Sequence, residues 1–109
     1  MRRVYSVIRK MGITSKYKGY HFLAEAVLIT IKYQDRPLRI TKDVYPYLAK
    51  KYKSTPSNVE HDIRTVIDVS YYNHREVLEE IAGCSLSSKP SNTEVLDMLA
   101  YYLEEAEIQ

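Results

Sequence analysis

The chain has 109 residues but only one cysteine, three glycines and no tryptophan. The single Cys84 excludes an intramolecular disulfide and fits a reduced thiol in the cytoplasm, packed as a small core residue. Few glycines and few alternating runs leave little signal for β-strands. The longest apolar stretch, Ala24 to Ile31, is interrupted by Glu25 and Thr30 and is too short to span a bilayer. The basic N-terminus is not followed by the apolar core of an export signal, and the first 21 residues form no strong apolar-basic amphipathic anchor, so neither export nor membrane association is expected. His21, His61, His74 and Cys84 match no zinc spacing. There is no glycine-rich phosphate loop and no nucleophile elbow. Neither a metal, a cofactor nor an enzymatic activity is therefore expected. Aromatic content comes almost entirely from 11 tyrosines. Tyrosine packs its ring and keeps its hydroxyl wet, and near a basic surface it can donate to phosphate. Packing is the expected role for most of them.

Hydrophobic residues make up 45% of the chain and charged residues 28%, which excludes disorder and fits one globular domain over residues 1–109. The net charge of +2 conceals an asymmetry. Residues 1–21 carry six Lys/Arg and no acid, residues 22–73 carry eight Lys/Arg and six Asp/Glu, and residues 74–109 carry two Lys/Arg and eight Asp/Glu. Such a split favours a polyanionic partner on the N-terminal side, and charge alone leaves DNA, RNA and an anionic membrane open.

Apolar spacing predicts an all-α fold. Val4, Val7, Ile8 and Met11 define a first helix stopped by Gly12, and Tyr20 to Ile31 supply the apolar face of a second over about 16–33. Gln34 to Arg39, with Pro37 inside, reads as a loop. Thr41 offers an N-cap to a third helix over about 41–53, although Pro46 predicts a distorted or separate first turn. Thr55 as cap and Pro56 at the first helical position open a fourth over about 56–71, with Val59, Ile63, Val66, Ile67 and Ser70 inward. Asn73 with Glu76, and Ser91 with Glu94, have the spacing of capping boxes for a fifth helix ending at Gly83 and a sixth facing inward through Val95, Leu96, Leu99, Tyr102 and Leu103.

The third and fourth helices, joined by a very short break, have the pattern of a helix-turn-helix. At 100° per residue, the positions opposite the inner stripe of the fourth are Asn58, His61, Thr65 and Asp68, with Ser57 and Arg64 beside them and Glu60 at the edge. Asn can bond adenine bidentately, Arg guanine, and Glu can accept from cytosine. A merely solvated polar face is the competing interpretation, and Asp62 and Asp68 speak for it. Ser57, Asn58, Glu60, His61, Arg64 and Thr65 are thus the candidate base-reading residues. Lys16 and Lys18 at the start of the second helix, Thr41 and Lys42 at the start of the third, and Lys50, Lys51 and Lys53 near the turn are candidates for phosphate.

An ordered series of short runs weighs further. Lys18-Gly19-Tyr20, Leu23-Ala24-Glu25-Ala26, Ile40-Thr41-Lys42, Tyr45-Pro46, Ala49-Lys50-Lys51-Tyr52, Val59-Glu60, Ile63-Arg64 and Lys89-Pro90-Ser91-Asn92-Thr93-Glu94 follow one another along the chain. From about Val4 to Leu103 the chain resembles the C-terminal DNA-binding domain of the stage-zero sporulation protein A family, response regulators of endospore formation. The resemblance implies six helices, a recognition helix at about 56–71, and sequence-specific binding to boxes of the TGTCGAA type, often in tandem and under control of a phosphorylated receiver. Glu60 and Arg64 match family positions on the DNA-facing helix, whereas Asn58, His61 and Thr65 stand where the family has Arg, Arg and His. The 109 residues hold no receiver: the chain is either an excised effector domain or a naturally short relative, and in the second case phosphorylation is not a switch within it.

Duplex DNA is the partner expected first. The alternative is a protein-interaction module in which the acidic last third docks a basic partner or a second copy. The resemblance links the fifth-helix region, here His74 to Gly83, to contact with an RNA polymerase sigma factor, and implies a homodimer on tandem sites.

Overall fold

The structure is a computed structural model describing residues 2–33 and 39–108. The loop expected at Gln34 to Arg39 lies, Arg39 apart, outside the described residues. The described residues form six α-helices: α1 (Arg2–Lys10), α2 (Gly19–Lys32), α3 (Tyr45–Lys51), α4 (Pro56–Asn73), α5 (Arg75–Ala82) and α6 (Asn92–Ile108). A π-helical turn, Ile40–Val44, runs directly into α3, and there are no strands among the described residues. The fold is all-α, as the periodicity requires.

α2 is the central helix, packed mainly against α6 and α4, while α3 lies on α4. Ile8, Met11 and Ile13 fill one end of the core, and Leu23, Val27, Leu48, Ile63, Ile67, Leu78, Leu96 and Leu99 fill the rest. Truncating one such fully buried leucine or isoleucine to alanine typically costs about 2–5 kcal/mol. Gly12, at φ +86°, stops α1, and any side chain there would strike the His74 ring. That position combines a left-handed backbone with a close approach, and glycine meets both.

Local signals set most boundaries. The Asn58 amide donates to Thr55 Oγ1 at 3.1 Å, capping α4 behind Pro56. Ser91 N–H donates to the Glu94 carboxylate at 2.9 Å and Glu94 N–H donates to Ser91 Oγ at 3.2 Å, the reciprocal bonds of a capping box. The Ser91 backbone amide first, and the Ser91 hydroxyl second, hold the Glu94 carboxyl below its ordinary pKa.

Three boundaries differ from expectation. α2 opens at Gly19, after a turn over residues 14–18, and not at Lys16. Thr41 lies inside the π-helical turn; the cap position falls on the extended Arg39, whose N–H donates to Asp43 Oδ2 at 2.8 Å. Pro46 is the physical reason for the irregularity. It has no N–H for the Lys42 carbonyl, and the ladder widens so that Tyr45 N–H reaches Ile40 O. Asn73 does not cap α5. The α4 ladder continues through it, with His74 N–H on Ser70 O at 2.8 Å, so the junction falls on His74 (φ −139°).

Candidate nucleic-acid interface

The connection from α3 to α4 is four residues, Tyr52 to Thr55. Ser54 N–H reaches back to Ala49 O at 2.8 Å and Lys53 N–H to Lys50 O at 3.4 Å, with Lys53 left-handed at φ +55°. These are the paired bonds of a Schellman turn, with lysine where glycine is usual. A non-glycine residue in that conformation costs about 1–2 kcal/mol, and its side chain is exposed beside the start of α4.

α3 is fastened to α2 at this end. Lys51 Nζ pairs with Glu25 Oε1 at 2.6 Å, and the Tyr52 hydroxyl donates to the other Glu25 oxygen. The hydrogen bond and charge of Glu25 raise the Lys51 pKa. Lys51, one of the expected phosphate contacts, is therefore engaged within the fold.

The inner stripe of α4 is buried: Val59, Ile63, Val66, Ile67, Ser70 and Tyr71. On the opposite side Ser57, Asn58, His61, Arg64 and Thr65 are exposed and Glu60 is half-buried. Several of these side chains are already ordered along the helix. Arg64 pairs with Glu60 at 3.4 Å and lies 3.3 Å from His61 Nδ1, while Thr65 Oγ1 donates to His61 O at 3.0 Å. Asp68, expected on the same face, turns aside to an ion pair with Lys89.

A depression flanks this face on each side. One, of about 670 Å³, brings Lys18 and His21 of the α2 end against Lys53, Asn58 and His61, with half-buried Asp62 at its edge. Gly19 makes it possible: a Cβ there would overlap the Asp62 backbone carbonyl, so α2 abuts α4 only because that position is glycine. The second depression, of about 270 Å³, gathers Thr41, Glu60, Arg64, Lys89, Asn92 and Thr93. Asn92 Nδ2 donates to Tyr45 Oη at 3.0 Å and to Glu60 O at 3.1 Å, tying α6 to both helices of the pair. Burial pushes the Tyr45 hydroxyl's pKa up, against the pull of that amide.

The remaining expected phosphate contacts are more dispersed. Lys16 lies in the turn before α2, 5.2 Å from the Tyr17 ring centroid. Lys42 is exposed on the π-helical turn and Lys50 on α3. His21, Lys89, Asn92 and Thr93 reach the flanks although their residue types gave no sign of it; the run Lys89 to Glu94 signalled a helix cap and the family resemblance, but no place beside α4. Cys84, expected in the core, is exposed, because the left-handed Gly83 (φ +76°) turns the chain outward behind α5.

A helical domain in which one helix of a short-turned pair buries its apolar stripe and exposes a polar one between cation-bearing flanks belongs to the class of helix-turn-helix DNA-binding transcription regulators. The match with known families is specific. Residues 4–103 fit the family described as the sporulation initiation factor Spo0A C-terminal domain, and the chain belongs to that family. Among the described residues no helix is long and apolar enough to cross a membrane.

Proposed function

We propose that the chain binds duplex DNA sequence-specifically as a transcription regulator, with the N-terminal two thirds of α4 in the major groove of TGTCGAA-like boxes. The observation that carries this reading is the exposed Ser57–Thr65 face between the two depressions. Arg64 is the guanine-reading residue, and its ion pair with Glu60 fixes the guanidinium along the exposed face of the helix. Asn58 is suited to adenine, and Ser57, His61 and Thr65 supply shorter contacts. Lys18 meets the sugar-phosphate backbone on one side of the groove and Thr41 and Lys42 on the other, with Lys16 and Lys50 further out. Lys51 contributes less, since Glu25 already neutralises it.

Fluorescence anisotropy with a TGTCGAA-type duplex and a scrambled duplex tests the proposal. Tighter binding to the box, with a difference that survives rising salt, is expected; equal affinity removes the claim of sequence specificity.

A second surface favours protein partners. Tyr72 is 72% exposed beside α5, where Glu76 and Glu80 are also exposed. This acidic aromatic face suits an RNA polymerase sigma factor or a neighbouring copy on tandem sites. Loss of polymerase co-purification in Tyr72→Ala, with DNA binding intact, is the expected result.

A further inference from the structure

A groove lies between α1 and the start of α2. Arg3, Arg9 and Lys10 line it from α1, and Tyr20 and His21 line it from α2. Among the described residues, no acid lines it. The groove is organised by aromatic rings. Arg9 Nε donates to Tyr20 Oη at 3.0 Å, the Tyr5 hydroxyl lies 3.1 Å from His21 Nδ1, and the Tyr5 and Tyr20 ring centroids are 5.1 Å apart. The nearby carboxylate of Glu25 is occupied by Lys51 and Tyr52. His21 lines both this groove and the depression holding Lys18, Lys53 and Asn58, so the two adjoin at the end of α2.

We propose that this groove is a second binding site for the DNA backbone, which takes the duplex flanking the box read by α4. The inference rests on the α4 reading for the placement of the duplex. On that reading the groove, adjoining the flank of α4 at His21, would meet the backbone beyond the box, and tyrosine hydroxyls with guanidinium groups are suited to phosphate oxygens. Arg3, Arg9 and Lys10, which line the groove, are three of the six Lys/Arg among residues 1–21, a stretch with no acid, and match a polyanion. The domain measures 34 × 30 × 25 Å. One turn of B-DNA is about 34 Å, so the domain is broad enough to touch backbone outside a single box.

The test compares duplexes holding one box with the same box extended by about one helical turn, 10 base pairs, on either side in turn. Binding of the full chain is measured against that of the double variant Arg3→Gln/Lys10→Gln, whose two side chains are exposed. Arg9→Gln is a second variant, because Arg9 also supports Tyr20; circular dichroism reports that each stays folded. Extension on one side is expected to tighten wild-type binding by roughly fivefold or more, and the double variant to lose that gain with its salt slope reduced by about two, at 0.9 for each released phosphate contact. Preference for box over scrambled sequence stays unchanged. Equal gains in wild type and variant overturn the groove, as does binding to phosphatidylglycerol vesicles lost in the variant while duplex extension has no effect. If box and scrambled duplex bind alike but the length effect persists and needs Arg3 and Lys10, the α4 reading fails and the groove stands.

Discussion

The two flanks of α4 are built in opposite ways. On the α2 side, Lys18 and Lys53 have no ion-pair partner among the described residues, and the approach of the elements depends on a missing side chain at Gly19. On the α6 side, both cations that line the depression are spoken for: Lys89 by Asp68, Arg64 by Glu60. There the elements are joined by Asn92, which bonds a hydroxyl on α3 and a carbonyl on α4. An unpaired cation attracts phosphate and releases counterions, whereas a paired one loses part of that attraction but gains a fixed direction. The first flank therefore supplies affinity and the second orientation.

Substitutions can break that contrast. Gly19→Ala has the largest expected effect. The new methyl overlaps a backbone carbonyl inside the α4 ladder, which cannot move aside cheaply, so a loss of about 3 kcal/mol is expected in urea denaturation. DNA affinity falls with it as Lys18 is pushed off the reading face. Arg64→Ala comes next, at roughly 1–3 kcal/mol of binding to the preferred box with little change on scrambled duplex. A comparable loss on every sequence would make Arg64 a backbone contact.

A pair of lysines sharpens the difference between the flanks. Lys18→Ala lowers the salt slope of binding by about 1. Lys89→Ala leaves the slope nearly unchanged because Asp68 already holds its charge. Equal effects from the two would erase the distinction. The smallest effect belongs to the start of α6. The Glu94 pKa is depressed in the folded protein, so its contribution is present above the ordinary carboxylate range and is lost as pH falls through the folded value. Ser91→Ala removes the hydroxyl half of the box and makes the acid limb of stability against pH shallower without abolishing it, because the backbone amide at 91 stays, as read by thermal melts from neutral pH down to about 3.

What was legible in the sequence was local. The α4 stripe, the Thr55-Pro56 start, the Ser91–Glu94 box and the stops at Gly12 and Gly83 depend on neighbours within a turn or two, and spacing reports them. The resemblance runs pointed to the family, because their order along the chain is itself information. The flanks were not legible in the same way. Asp68 with Lys89, Glu25 with Lys51 and Asn92 with Tyr45 join residues 21, 26 and 47 positions apart. No periodicity encodes such pairs, so Asp68 was expected on the reading face and Lys51 among the phosphate contacts. Gly19 was visible only as part of a run; its role depends on where the Asp62 carbonyl lies. Cys84 was misplaced for a related reason. Its apolar neighbours argue for burial, but the left-handed glycine before it redirects the chain.

Titrating the isotopically labelled chain with box duplex, and following its backbone and side-chain resonances by NMR, tests the central claim most directly. The largest changes are expected at Ser57, Asn58, His61, Arg64 and Thr65, with Lys18 following and the acidic α5 face unmoved. Changes confined to α5 and α6, with the outward side of α4 silent, would contradict the assignment of that helix to the groove.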